Sequence, residues 1–465
     1  MMHGIKLQKF WLRALAVLLG GYLALDKGFA YLGIGPVYVG EIVLALGVAA
    51  VLWGGGVKLL QRQAIFWIWV LLAADGLLCT IPYLKQYGIL SLRDATLWGY
   101  GVFAMLTVVC LLRCGWVVKA VQLYGHLLPA VLLWLPVGYL LQRILRGAIP
   151  NVPGTDEPLL YLKPGDTAVH LAGAAAFMAL GLHQVLRPKM GAFKRLMRDW
   201  WWWIIWSLGV VLAASANRGG MLSIIAAAGV VMALRPRSAG HWGKAAALVL
   251  AGICVAIFVD LKIEMNRREV SAQQLVSNVM SIFEDTNRGD LDDTKEWRLN
   301  WWGEIIDYTF GGKYFWTGKG YGVNLALDDG FLGTEEGPPL RSPHSAHMTI
   351  LARSGVPGLA LWALLQGVFA AGMLRGYWRA RKSGQEWWAR VDAWVLAYWI
   401  AFNVNASFDV YLEGPQAGIW FWSWIGFGMA VRAAQEWDLN QKKKVRREEI
   451  KIVRREMELA GGSVG

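Results

Sequence analysis

The chain has 465 residues, of which 56% are hydrophobic and only 17% charged, whereas a soluble domain carries about 25% charged residues. Its apolar residues form long uncharged runs, each close to the ~20 residues that a helix needs to cross a bilayer, which excludes a soluble globular protein. The Lys and Arg residues that give the net charge of +13 lie mainly in short connections between these runs, so we expect no nucleic-acid partner.

Twelve apolar runs predict an all-α polytopic membrane protein with about twelve transmembrane helices. In chain order the predicted spans are approximately 10–28, 35–54, 64–82, 95–112, 115–141, 167–186, 201–217, 219–234, 243–261, 345–374, 391–411 and 415–434. Lys and Arg are concentrated in every second connection and in the C-terminal tail. Because short basic connections stay in the cytoplasm, both termini are predicted to be cytoplasmic. This charge would also attract anionic membrane lipids.

The predicted spans divide the chain into four parts. Transmembrane helices 1–9 occupy residues 1–262 and helices 10–12 occupy residues 344–435, with a large loop at 263–343 between them. A basic cytoplasmic tail follows at 436–465. The run Trp200–Trp203, just after the basic segment 187–198, is expected at the membrane interface, as are Trp387 and Trp388, because indole rings prefer that depth.

The loop at 263–343 is the one acidic connection, with 14 Asp/Glu against 8 Lys/Arg. Charge parity, meaning the alternation of basic and non-basic connections along the chain, places this loop outside the cytoplasm. Apolar residues at helical spacing over 270–283 and 297–308 predict two or more helices packed over the outer face of the bundle. We interpret the acidic cluster Asp290–Asp293 as a solvated turn instead of a metal site. The glycine-rich segment Gly318–Gly322 lacks the Gly-Lys-Ser/Thr of a nucleotide-binding loop and is predicted to be a tight turn.

Charge parity also gathers several polar residues at the outer rim of the bundle. A charge near the hydrocarbon boundary is costly unless it is paired or solvated, which makes each one a candidate for a functional site. The candidate residues are Arg93, Arg218, Arg288, Arg298, His344, His347, Asp409 and Glu413.

Two of these residues have the most specific surroundings. Arg218 lies in a very short connection beside two glycines and could bind a phosphate through both arms of its guanidinium; the alternative is an interfacial anchor. His344 follows Pro343 where the loop meets the bundle, and its near-neutral pKa suits a general base; the alternative is a structural histidine at a helix start. His347, one turn along, would face the same cavity.

The order of these motifs resembles the O-antigen ligases, within the larger group that includes O-antigen polymerases and protein O-oligosaccharyltransferases. The resemblance covers approximately residues 200–425. Its motifs are Arg218-Gly-Gly, Arg298 before Trp301 and Trp302, the glycines at 318–322, Pro343-His344-Ser345-x-x-Met348 with Arg353-Ser-Gly355-x-x-Gly358 downstream, and Asp409, Glu413 and Pro415. The family often has Asn in place of Ser345 and Leu in place of Met348.

The resemblance implies a GT-C-like glycosyltransferase of the bacterial inner membrane that uses neither metal nor cofactor. Such an enzyme moves polysaccharide from undecaprenyl diphosphate to a sugar hydroxyl of lipid A-core at the periplasmic face. His344 would be the base, and Arg218 and Arg298 would bind the diphosphate. The residues implied in weaker substrate-binding or orienting roles are Arg288, Arg93, His347, Asp409 and Glu413.

Three alternatives remain open from the sequence. An O-antigen polymerase would use the same chemistry on a growing glycan, but tends to have two sizeable periplasmic loops. A protein O-oligosaccharyltransferase usually carries additional C-terminal sequence. A transporter or flippase would also have many spans, but would place charges or broken helices near mid-membrane, whereas the charges here cluster at one rim.

Overall fold

The computed structural model describes residues 2–145, 147–185, 192–212, 217–235, 239–258, 263–265, 268–270, 289–332 and 340–461. Helices form most of these residues, which confirms the all-α fold class. The strands in the described ranges form two short antiparallel pairs. β1 (Gly33–Ile34) pairs with β2 (Val37–Tyr38), and β3 (Ile263–Met265) pairs with β4 (Arg268–Val270).

The α-helices are named in chain order. Before the long loop they are α1 (Met2–Leu25), α2 (Lys27–Ala30), α3 (Val39–Gly54), α4 (Ala64–Thr80), α5 (Leu84–Tyr87), α6 (Ile89–Gly99), α7 (Gly101–Cys114), α8 (Val117–Ile144), α9 (Pro164–Ala179), α10 (Leu182–Val185), α11 (Ala192–Leu212), α12 (Arg218–Leu234) and α13 (Ala239–Phe258). From the loop onward they are α14 (Gly289–Phe310), α15 (Leu325–Asp328), α16 (Ala346–Lys382), α17 (Glu386–Ala406) and α18 (Pro415–Gly461).

Each of the twelve predicted spans overlaps one of these helices. Within the described residues, three helical segments are long and apolar enough to cross a membrane, namely Ala64–Tyr87, Val117–Ile144 and Ala346–Lys382. A fourth span results if α6 and α7, which meet at an angle of 43°, cross as one broken helix. The structure therefore agrees with an integral membrane protein, while the number twelve and the orientation stay predictions.

Tryptophan side chains tie neighbouring helices together inside the bundle. The indole N–H of Trp11 donates to the carbonyl of Val43 at 2.8 Å, and interhelical hydrogen bonds of this kind contribute about 0.6 kcal/mol on average in membrane bundles. Trp206, Trp394, Trp420, Trp422 and Trp424 also donate to backbone carbonyls of other helices. In the run Trp200–Trp203, Trp201 is 63% exposed but Trp203 only 4%. One indole of the run thus lies on the surface of the bundle and another packs inside it.

The long loop contributes a helix that packs on the bundle. The helical spacing over 297–308 agrees with α14, which lies against α16. Trp301 and Ile305 are fully buried in this contact because they occupy the face of α14 that meets α16. The other predicted helix, over 270–283, lies outside the described residues except for Val270, which ends β4.

Three further expectations can be compared with the backbone. The Asp290–Asp293 cluster lies in the first turns of α14, so its interpretation as a turn is wrong. An acidic first turn is favourable there because the helix N-terminus carries partial positive charge. Gly318–Gly322 does form a turn, in which the three glycines have φ values of 58°, 83° and 111°. The tail at 436–465 continues α18 as far as Gly461.

A kink near the start of α16 holds this glycine-rich turn in place. Gly355 has a φ of 64° inside the helix, and a Cβ there would lie 2.3 Å from the carbonyl oxygen of Phe315. The kink frees backbone groups on both sides of it. The N–H of Val356 donates to the carbonyl of Phe315 at 2.8 Å, and the carbonyl of Arg353 accepts from the N–H of Gly320 at 3.1 Å. Glycine is therefore required at 355 so that the outer loop can dock on α16.

Candidate active site

His344 lies in the loop that leads from the outer segment into α16. Its backbone φ is 52°, a left-handed conformation that costs a residue with a side chain about 1–3 kcal/mol. Contacts on both sides of it maintain this conformation. The indole N–H of Trp302 donates to the carbonyl of Pro343 at 2.8 Å, and the Ser345 hydroxyl accepts from the N–H of Met348 to cap α16. The histidine is therefore held at a fixed position at the helix N-terminus.

The rings and charges nearest His344 come from distant parts of the chain. The Trp297 ring on α14 lies edge-to-face with it, with ring centroids 6.3 Å apart. Arg298, the next residue on α14, donates to the carbonyl of Phe408 at 3.3 Å. Burial lowers the pKa of His344 and the positive charge of Arg298 lowers it further, while Asp409 opposes this. The imidazole is therefore biased toward its neutral, proton-accepting form.

Asp409 belongs to a buried charge network at the same rim. Its carboxylate pairs with the Lys163 ammonium at 3.7 Å, and the N–H of Lys163 donates to the Asp26 carboxylate at 2.8 Å. Burial by itself lowers the pKa of Lys163, but Asp409, Asp166 and Asp26 together raise it above its usual value. Lys163 therefore stays charged and is a second cation near His344, beside Arg298.

Backbone strain is a second, independent indication of a functional site around His344. Among the described residues other than glycine, only Asp26 and His344 have positive φ values, 50° and 52°. Lys163 connects Asp26 to Asp409, and the charges of Lys163 and Asp409 both act on His344. Strained backbone conformations of this kind cluster at functional sites, where the surrounding structure holds them.

Arg218 is the first residue of α12, and its surroundings explain the two glycines that follow. The Asn217 side-chain oxygen accepts from the N–H of Gly220 at 2.9 Å and so caps the helix. A Cβ at Gly219 would lie 3.1 Å from the Phe408 side chain. Gly219 thus lets the start of α12 approach the segment that follows α17, which contains Asp409 and whose Phe408 carbonyl accepts from Arg298.

His347 has a structural environment that differs from that of His344. Its Nδ1 accepts the indole N–H of Trp362 at 3.0 Å, and its Nε2 lies 3.3 Å from the carbonyl of Asn403. The first contact places the ring proton on Nε2, which then donates to that carbonyl. Both nitrogens are occupied within the bundle, so this geometry gives His347 the role of a link between α16 and α17.

Glu413 and Asp409 lie four residues apart but belong to different clusters. The Glu413 carboxylate accepts from the Thr349 hydroxyl at 2.9 Å on α16. Burial raises its pKa, and the positive charge of Arg353 opposes that effect. Glu413 is therefore part of the packing around α16, whereas Asp409 faces Lys163 and the His344 site.

A second ionic cluster fastens the glycine-rich turn to the bundle. The Asp94 carboxylate lies 2.9 Å from the guanidinium of Arg353 and 3.2 Å from that of Arg341. The same oxygen accepts from the N–H of Gly322 at 3.0 Å. Arg353 is only 1% exposed, so this motif residue stabilises the fold through its ion pair with Asp94. Arg93, beside Asp94, is exposed, and Arg288 lies outside the described residues.

The sequence analysis omitted Lys163, Asp26 and Asp166 from the rim. The signal was present, because Asp26 lies at the end of the first predicted span and Lys163 and Asp166 precede the sixth. By charge parity the end of the first span, where Asp26 lies, and the start of the sixth face the same side as His344. Asn405, fully buried at the end of α17, lies inside a predicted span and gave no such signal.

A family model described as O-antigen ligase matches residues 203–363. This segment contains Arg218, Arg298 and His344, and the match confirms the family resemblance found in the sequence. The match ends before Asp409 and begins after Lys163. A search of curated proteins found no match.

Proposed function

We propose, from the O-antigen ligase domain at residues 203–363, that this protein transfers polysaccharide from undecaprenyl diphosphate to a sugar hydroxyl of lipid A-core at the periplasmic face of the inner membrane. The observation that carries the proposal is the position of His344 beside Arg298, at the rim where α12 also begins. A base and fixed cations at one site suit a displacement in which the leaving group is an anion.

In this proposal His344 removes the proton of the acceptor hydroxyl as its oxygen attacks the anomeric carbon of the donor sugar. The bond from that carbon to the diphosphate oxygen breaks, and undecaprenyl diphosphate leaves with the electron pair. Arg218 and Arg298 stabilise the negative charge that develops on the leaving group. Attack from the face opposite the leaving group inverts the anomeric carbon.

The remaining residues are assigned by their contacts. Asp409 orients Lys163 at the rim, and Lys163 joins the two arginines as a cation that the donor diphosphate can approach. Arg288 and Arg93 remain weaker proposals for diphosphate binding. We propose no substrate contact for His347 or Glu413, because their side chains are engaged inside the bundle.

The arginine roles predict large losses of activity. Arg218→Ala and Arg298→Ala are each expected to lower the transfer rate about 10²–10³-fold, the usual effect of removing one fixed group that stabilises transition-state charge. The lysine variants keep the charge but lose the two-pronged geometry, so they should recover only part of the rate. Transfer is measured with purified protein, lipid-linked polysaccharide and lipid A-core in the presence of EDTA.

The exposed Lys85 at the same rim supplies a matched control, since Lys85→Ala should transfer at the wild-type rate. Equal rates for wild type and both arginine-to-alanine variants would refute the diphosphate assignment. Elongation of the lipid-linked glycan without transfer to the core would instead identify a polymerase.

The lowered pKa of His344 predicts a characteristic pH profile. The base must be neutral, so the rate should stay constant down to pH values below the usual histidine pKa of about 6.5 and then fall as the imidazole becomes protonated. Arg298→Gln removes a charge that lowers this pKa, so the acid limb should move to higher pH. Asp409→Asn removes a charge that raises it, so the limb should move to lower pH.

The profiles are measured as kcat/KM for the three proteins. Shifts of the acid limb in opposite directions support the assignment. An acid limb at the same pH in all three proteins would show that His344 is not the titrating base.

A further inference from the structure

A cavity of about 1170 Å³ lies at the end of the bundle opposite His344. It is lined by the start of α4, the end of α7, the start of α8, the second half of α16 and a middle part of α18. His344 precedes the first residue of α16, and Arg375 in the cavity lies about 30 residues further along the same helix. At a rise of 1.5 Å per residue the two sites are at most about 45 Å apart along the helix, roughly the thickness of a bilayer with its head groups.

The charges in this cavity are unbalanced. Five arginines line it, against two acidic residues, Glu436 and Asp438. Both acidic side chains are engaged within the protein, because Glu436 pairs with two of the arginines and Asp438 accepts from Trp388 and Gln385. The five lining arginines are Arg62, Arg113, Arg375, Arg379 and Arg432.

Three of the arginines have donor groups that the protein leaves unused. Arg62 and Arg375 are exposed, and neither forms an ion pair with any residue that the structure describes. Arg113 donates to the carbonyl of Gly54 at 2.7 Å, but its Nε is buried without a hydrogen-bond partner in the described chain. An unpaired buried donor of this kind costs about 1–3 kcal/mol unless a ligand satisfies it.

The walls of the same cavity are apolar. Ile65, Val118, Val368 and Met373 come from three different helices and line it together with the arginines. Indole rings stand at its margin, including Trp437, which is 67% exposed, as tryptophans do at the level of lipid head groups. The site is therefore amphipathic, with cations that suit a phosphate and apolar walls that suit hydrocarbon.

We propose that this cavity binds an anionic phospholipid, with its phosphate at Arg62, Arg113 and Arg375 and its acyl chains along the apolar walls. Basic pockets between transmembrane helices bind anionic lipid head groups in this way. The site is separate from the O-antigen ligase chemistry, so this proposal does not depend on the proposed function.

The test is lipid binding by the full-length protein, purified in a neutral detergent and observed by native mass spectrometry. The probes are phosphatidylglycerol, phosphatidylcholine with the same acyl chains, and inorganic phosphate. Arg62→Gln/Arg375→Gln is expected to bind phosphatidylglycerol roughly thirtyfold more weakly than wild type, since each basic residue near an anionic head group contributes about fivefold.

Lys6→Gln/Lys382→Gln is the matched control, because it removes two exposed charges from the same end of the bundle but outside the cavity. It should bind phosphatidylglycerol like wild type. Thermal unfolding in lipid-free detergent should be the same for both double variants, which separates loss of binding from loss of folding.

Three results would overturn the proposal. They are undiminished phosphatidylglycerol binding by Arg62→Gln/Arg375→Gln, equal binding of phosphatidylcholine by wild type, and binding of inorganic phosphate that the double variant loses while wild type binds no phosphatidylglycerol. The second result would show a groove that selects only hydrocarbon, and the third would show a site for a free anion.

Discussion

Replacing His344 with alanine is expected to lower the rate of polysaccharide transfer by about 10²–10⁴-fold, the contribution of a well-placed general base. The reason is geometric as well as chemical. The strained backbone at His344 and the cap of α16 hold the ring beside Arg298, so another side chain cannot take its place without rearrangement. The measurement is the single-turnover rate with purified lipid-linked polysaccharide and lipid A-core.

His347→Gln is the informative control for this variant. Its ring links Trp362 to the carbonyl of Asn403. The substitution should therefore lower the thermal unfolding temperature, while the rate per folded molecule stays close to that of wild type. His344→Ala should show the reverse pattern, with near-normal unfolding and almost no transfer. A His344→Ala protein that transfers at the wild-type rate would eliminate this residue as the base.

Replacing Asp94 with alanine is expected to lower the free energy of unfolding by about 3–5 kcal/mol, the effect of removing one partner from a buried ion pair. Asp94 lies against Arg353, which is 1% exposed, and also accepts from Arg341 and the N–H of Gly322. Its loss leaves a buried guanidinium without its nearest carboxylate and releases the glycine-rich turn. Unfolding is followed by circular dichroism during titration with a denaturing detergent.

The neighbouring Arg93→Ala variant is a matched control for stability. Arg93 is exposed, and surface substitutions usually change the free energy of unfolding by less than about 0.5 kcal/mol. The double variant Asp94→Asn/Arg353→Met removes the uncompensated charge and should recover part of the loss. If Asp94→Ala and Arg93→Ala unfold at the same detergent concentration, the ion pair does not stabilise the fold.

The membrane helices could be located from the sequence because hydropathy and loop charge are local properties. Every predicted span overlaps a helix, and the spacing over 297–308 predicted the helix that covers the outer face. The same local reasoning failed for the acidic cluster Asp290–Asp293, where a helix start was interpreted as a turn.

The polar residues that lie at one rim of the bundle could likewise be predicted from the sequence, but the contacts among them could not. Charge parity depends only on counting spans, and it gathered His344, Arg298 and Asp409 on one side. It could not show that Glu413, four residues from Asp409, contacts Thr349 instead, because the turn Tyr411–Glu413 between them directs the two carboxylates to different neighbours.

The sequence by itself thus determined the fold class, the family of residues 203–363 and the side of the bundle on which polar residues gather. Each of these follows from composition, period or motif, which are properties of neighbouring residues along the chain. Only the tertiary structure decided that Lys163 and Asp26 join the His344 site and that His347 does not. The physical reason is that hydrogen bonds and ion pairs act over about 3–4 Å, and such distances between remote segments exist only once the helices have packed.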